Sequence, residues 1–182
     1  MTRLTIDITD QAWDTLLTHA ASRRDIEVGG VLLGVGDASG VRVETALPAL
    51  AARGGSTHVT FTADTWAEIH RAIDERFAGM TIVGWYHTHP GFGVFLSEMD
   101  LFIHRSFFDL PFQLAVVVDP LAGERGVFAW HGGRIARVEV VPGLNEQRNS
   151  LWMVRRLAAV GWTIAVWAVM MLGLKGLDAL SR

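Results

Sequence analysis

Residues 84–100 read GWYHTHPGFGVFLSEMD, and this stretch decides how the rest of the chain is organised. It closes an apolar run, TIVGWYHTH (81–89), that begins like a buried strand and ends in two histidines two positions apart. On a strand, residues i and i+2 point to the same face, so His87 and His89 present two imidazoles side by side. Downstream, SEMDLFIHRSFF reads as a helix opening at Ser97, on which Ser97 and Asp100 share a face. Two neutral nitrogens and one carboxylate oxygen suit a divalent zinc. Three protein ligands leave the fourth tetrahedral position to water, the arrangement of a catalytic site. A metal held there would bring the pKa of that water toward ~7 and polarise a substrate carbonyl.

The same residues carry a second reading. SEMD is also a capping-box pattern, with Ser97 as N-cap and Asp100 in the first turn, favoured by the helix dipole. That accounts for Ser97 and Asp100 without a metal, but not for two histidines at strand spacing followed by Pro90. Spacing alone leaves both readings open.

Outward from this stretch the chain alternates strand and helix signals. LTIDI (4–8) alternates like a half-buried strand, and DQAWDTLLTHAA from Asp10 places Trp13, Leu16, Leu17 and Ala20 on one helical face. VGGVLLGV (28–35) is a buried strand or a hairpin arm, VRVETAL (41–47) a strand, and residues 49–57 a loop. Thr62 or Asp64 would cap the helix TWAEIHRAIDERFA. FQLAVVVD (112–119) reads as a fully buried strand, VFAWH and IARVEVV (135–141) as a last pair joined at HGGR. The fold class expected is mixed α/β.

Composition narrows the function classes. The chain has 182 residues and a formal net charge of -3, which offers no basic surface for nucleic acid. It has no cysteine, which excludes a disulfide framework, a thiol nucleophile and thiolate-ligated zinc, including the cysteine set of the zinc deaminases. Half of the residues are hydrophobic, and the surplus is concentrated late. LAAVGWTIAVWAVMMLGL (157–174) carries no charge, and at ~1.5 Å per residue it covers roughly 27 Å of a hydrocarbon core of about 30 Å. Arg155 and Arg156 flank it as interfacial anchors do. The expectation is a domain over 1–142, a linker over 143–150, a single transmembrane helix over 151–175 and a short tail over 176–182. The N-terminus shows no export signal, which with the arginines before the span puts the domain in the cytoplasm and the chain on a membrane. Gly161 and Ala165, four apart, would let two such helices approach as a homodimer.

A zinc site of this kind needs a proton carrier. Glu27, in RDIEVGGVLLG, enters an apolar run where desolvation would raise its pKa. By local context alone, an acid at a strand start is more often a solvated one. Phe92, Val94 and Phe95 make the loop between the ligands unusually apolar, which fits the lining of a substrate groove or plain packing. The histidines at 19, 58, 70, 104 and 131 lack ligand spacing and read as surface or core residues.

Taken together, Glu27, His87-Thr88-His89, seven residues from Pro90 to Leu96, Ser97, two more residues and Asp100 resemble the signature of the JAMM (MPN+) metalloproteases. EVGGVLLG resembles the segment with the family's catalytic glutamate, IVGWYHTHP its metal strand, and VVVDPLAGERGVFAW its following strand pair. The resemblance implies a curved β-sheet flanked by helices, related to the cytidine deaminases. It implies one Zn2+ per chain on His87, His89 and Asp100. It further implies Glu27 as general base and then acid, and Ser97 as hydrogen-bond donor to the oxyanion. The implied activity is that of a deubiquitinase-like isopeptidase or peptidase cutting after the C-terminus of a ubiquitin-like protein. Only eleven residues separate Asp100 from Phe112, too few for the second insertion of eukaryotic deubiquitinases, so a compact prokaryotic type is implied. A processing peptidase for a sulfur-carrier-like protein and a non-catalytic MPN scaffold are the alternatives.

Overall fold

A computed structural model describes residues 4–50, 53–54 and 59–140. In chain order the elements are β1 (Thr5–Ile8), α1 (Asp10–Ser22), β2 (Gly29–Asp37), β3 (Gly40–Pro48), the two-residue strands β4 (Arg53–Gly54) and β5 (Val59–Thr60), and α2 (Ala63–Arg76). There follow β6 (Thr81–Thr88), α3 (Glu98–Phe107), β7 (Leu114–Asp119), β8 (Glu124–His131) and β9 (Arg134–Val138). The helices begin where a side chain can accept a free N–H of the first turn. Thr9 accepts from Ala12 and Thr62 from Thr65, so α1 starts at Asp10 as expected and Thr62, of the two candidates, caps α2. The stretch expected as loop over 49–57 contains β4, which pairs with β5.

Seven strands form one sheet in the order β1-β3-β2-β6-β7-β8-β9. β6 and β7 are parallel, so their connection must cross over, and α3 lies in it. β2 runs antiparallel to both β3 and β6. A strand in the middle of such a sheet has both faces covered, which is why β7, LAVVVD, is apolar without alternation and buried throughout. On one face Ala12, Leu16 and Ala20 of α1 pack with Leu32, Val43, Tyr86 and Val116. On the other, Ile69 of α2 packs with Val31 and Leu33, and Phe108 after α3 packs with Trp85, Ala115 and Val117.

Gly30, paired with Tyr86, has no room for a side chain. A Cβ there would lie 2.7 Å from the Tyr86 ring and closer still to the Leu47 carbonyl oxygen. Its neighbour Gly29 pairs with His87. The β2–β6 ladder therefore sets Glu27 just before the first paired residue of β2, at the end of β6 where the histidines stand. β7 pairs with β6 as far as Thr88, and α3 starts at Glu98. Three segments distant in sequence thus meet at one end of the central strands.

The expected membrane location requires correction. Among the described residues no helix is long and apolar enough to cross a membrane. The segment 151–175 assigned to a single-pass anchor, and with it the membrane partner and the homodimer through Gly161 and Ala165, lies outside the described residues.

Candidate active site

His87 is the second-last residue of β6, and His89 lies one residue past its end. Alternation along the strand puts both rings on one face, where their Nε2 atoms are 3.0 Å apart. Asp100 arrives from the first turn of α3. Its Oδ1 lies 3.2 Å from His87 Nε2 and its Oδ2 3.6 Å from His89 Nε2. Ligands at ~2.0 Å from a tetrahedral zinc are separated by edges of about 3.3 Å, close to the separation of the two histidine nitrogens and to that of His87 Nε2 from Asp100 Oδ1. The residues fit the ion. His87, His89 and Asp100 form a buried candidate metal site, with one ligand atom from each within 4.8 Å of the others.

The capping box is present as well. Ser97 Oγ accepts from the Asp100 N–H, and the Ser97 N–H donates to Asp100 Oδ2 at 2.7 Å. The Ser97 hydroxyl also donates to that oxygen at 2.6 Å. The two readings of SEMD are therefore compatible. Oδ2 fastens the helix start and Oδ1 faces His87.

Glu27 completes the group. It is 4 % exposed, and its Oε1 is 4.0 Å from His89 Nε2. Burial raises its pKa to about 7, against the pull of His89 and with the push of Asp100. Burial also works against the charge on Asp100, but hydrogen bonds from His87 and His89 outweigh it and hold that carboxyl well below the usual range. His87 is lowered by burial despite Asp100 and so stays neutral, the form a metal requires.

Phe92 and Phe95 are exposed, and the Phe95 ring centroid is 4.8 Å from that of His89. Val94, of the same expected groove, turns inward and packs with the Trp85 and Phe108 cluster.

The profile of the family described as JAB1/Mov34/MPN/PAD-1 ubiquitin protease matches residues 2–110. The chain belongs to this family. Among curated relatives of this JAB/MPN chain, NAD(+) hydrolase TcpA of a Theionarchaea archaeon is 34% identical over 66% of the chain and 36% of its own length. Ubiquitin carboxyl-terminal hydrolase RPN11 of Saccharomyces cerevisiae is 33% identical over 69% of the chain and 42% of its own length. The chain thus spans about two fifths of the length of these relatives. A solution structure of a Desulfitobacterium hafniense protein matches with a TM-score of 0.57 at 23% identity, covering 75% of the chain and 92% of that protein. It supports the curved, helix-flanked mixed sheet of an MPN domain.

Three residues around the site were not assigned roles by sequence reasoning. Thr88, between the histidines, binds the backbone at Val28. Asp119, at the end of β7, accepts N–H groups from Gly91, Gly93, Leu121 and Ala122 at 2.9–3.1 Å, tying the loop after His89 to the turn after β7. Its signal is an Asp-Pro pair after an apolar run, which marks a side chain free to bind nearby backbone. His104 is fully buried and lies four residues after Asp100, on the same helical face. Its Nδ1 accepts from the Trp85 indole N–H at 3.1 Å, and the Trp85 ring stacks on His87 with centroids 4.6 Å apart. Of the other unassigned histidines, His19 meets the Tyr86 hydroxyl, His70 and His131 are exposed, and position 58 lies outside the described residues.

Burial lowers the His104 pKa from 6.5 to about 4. The unfolded chain takes up a proton below about pH 6.5 while the folded one refuses it until about pH 4. Stability is therefore complete above pH 6.5 and falls with decreasing pH, by about 1.4 kcal/mol per unit and about 3 kcal/mol across the window. Urea titrations at several pH values are expected to show this loss in the wild type and a flattened profile in His104→Gln. Parallel losses in both proteins would refute the assignment.

Proposed function

We propose that this JAB/MPN chain is a zinc-dependent peptidase or isopeptidase acting at the C-terminus of a ubiquitin-like protein. The observation that carries the reading is a buried glutamate, its pKa brought to about 7, set 4.0 Å from a two-histidine, one-aspartate site. Family membership and a relative named as a ubiquitin carboxyl-terminal hydrolase support the class of bond and substrate.

His87, His89 and Asp100 would hold the metal, and a zinc ion there supplies Lewis-acid chemistry that acidifies a water and polarises a carbonyl. Glu27 takes the proton from the attacking water at its carboxylate and returns it to the leaving amine, a task suited to a group titrating near neutrality. Ser97 donates to the developing oxyanion once its hydroxyl hydrogen swings away from Asp100. Phe92 and Phe95 flank the approach to His89 and line an extended tail, while Val94 shapes the loop beneath them.

Full-length protein loaded with zinc is expected to release a C-terminal extension, or a lysine-linked partner, from a ubiquitin-like protein, and to lose that activity on chelation. Release that survives chelation would refute the reading, as would failure to cut any ubiquitin-like substrate in either linkage. Cutting of linear extensions alone would identify a processing peptidase, and cutting of lysine-linked conjugates an isopeptidase.

A further inference from the structure

The alternation that puts His87 and His89 on the metal face turns Thr88 to the opposite one, where it is fully buried. Its main-chain N–H donates to the Val28 carbonyl at 2.9 Å, as an antiparallel pair requires. The return bond is different. Val28 N–H donates to Thr88 Oγ1, also at 2.9 Å, so a side-chain hydroxyl stands where a regular ladder would use a main-chain oxygen. The regular pairing of β2 starts only at Gly29, so this two-point clamp is what holds the chain immediately after Glu27. Neither Thr88 atom touches a ligand atom of the candidate metal site.

We propose that Thr88 is a positioning residue for Glu27, its hydroxyl fixing the Val28 peptide so that the carboxylate stays level with His89. The proposal rests on Glu27 being the proton carrier. Valine in place of threonine keeps the shape but leaves the half-buried Val28 N–H without its acceptor, which the chain relieves by moving. Serine keeps the acceptor. A displacement of about 1 Å at a reacting group costs on the order of 100-fold in rate.

In zinc-loaded Thr88→Val, kcat is expected to fall roughly 10- to 100-fold with KM within about twofold. Bound zinc stays at the wild-type level, and Thr88→Ser recovers most of the turnover. A crystal structure of Thr88→Val should show the Glu27 Oε1 to His89 Nε2 separation, now 4.0 Å, changed by about 1 Å or more. Thr88→Ala serves as the second variant if the valine protein does not fold. A loss of thermal stability with kcat unchanged, or a Glu27 that has not moved, overturns the proposal. If the wild type cleaves no ubiquitin-like protein, the proposed function fails alone, because the position of Glu27 in the variant still decides the role of Thr88.

Discussion

Glu27→Gln is expected to lose turnover by roughly 10²- to 10⁴-fold, the range over which a positioned proton carrier contributes. Glutamine matches glutamate in size and still fills the buried position, so packing changes little. It cannot take a proton from water or carry one to the leaving amine. The variant should bind zinc as the wild type does, because the candidate ligand set, His87, His89 and Asp100, does not include Glu27. Its KM should hold within a fewfold, because the proposed tail contacts lie at Phe92 and Phe95. Single-turnover cleavage alongside a zinc titration checks both halves. Turnover within tenfold of wild type would remove Glu27 from the chemistry, and lost zinc binding would make it a ligand.

The second large effect is at Asp100, where two substitutions separate two roles. Asp100→Ala removes the oxygen facing His87 and the acceptor of the Ser97 N–H together. Zinc affinity should fall by more than about 100-fold, the upper end of what losing mere supporting contacts costs. The metal-free protein should also lose about 1 kcal/mol, the usual cost of a lost helix cap. Asp100→Asn retains an oxygen for the cap but not a charged ligand. It should keep more of the metal-free stability than the alanine variant, while losing the charge that faces His87 and with it zinc affinity, as the alanine does. Isothermal titration with zinc and denaturation after chelation read the two quantities independently. Equal zinc affinity in wild type and Asp100→Asn would reduce SEMD to a capping box.

Much of the site was legible because its parts follow local periodicities. Strand spacing put two imidazoles on one face, and helix spacing put Ser97 beside Asp100. The long-range partner was not legible from spacing. Glu27 reaches His89 only because Gly29 pairs with His87, a long-range register to which the tight Gly30 and Tyr86 contact belongs. The resemblance to a known signature supplied what local pattern lacked. His104 read as an ordinary histidine because burial depends on Phe108 and Trp130 closing over it. Asp119 was missed because backbone N–H groups, its partners, are not written in side chains. The late apolar segment misled in the other direction, since hydropathy reports what a stretch would tolerate and not where it lies.

The loop after His89 is fastened through main-chain atoms, two of them on glycines with φ of 80° and 84°, conformations other residues rarely adopt. The side chains of Phe92 and Phe95 take no part in that fastening and remain in the open. What holds the mouth of the site and what the mouth presents are therefore carried by different atoms. Mutation at 92 or 95 can alter the lining at little cost to the frame, whereas Gly91, Gly93 and Asp119 have no such latitude. Under the proposed function, a lineage built on this chain changes the tail it takes by drift at two positions and leaves the residues beneath untouched.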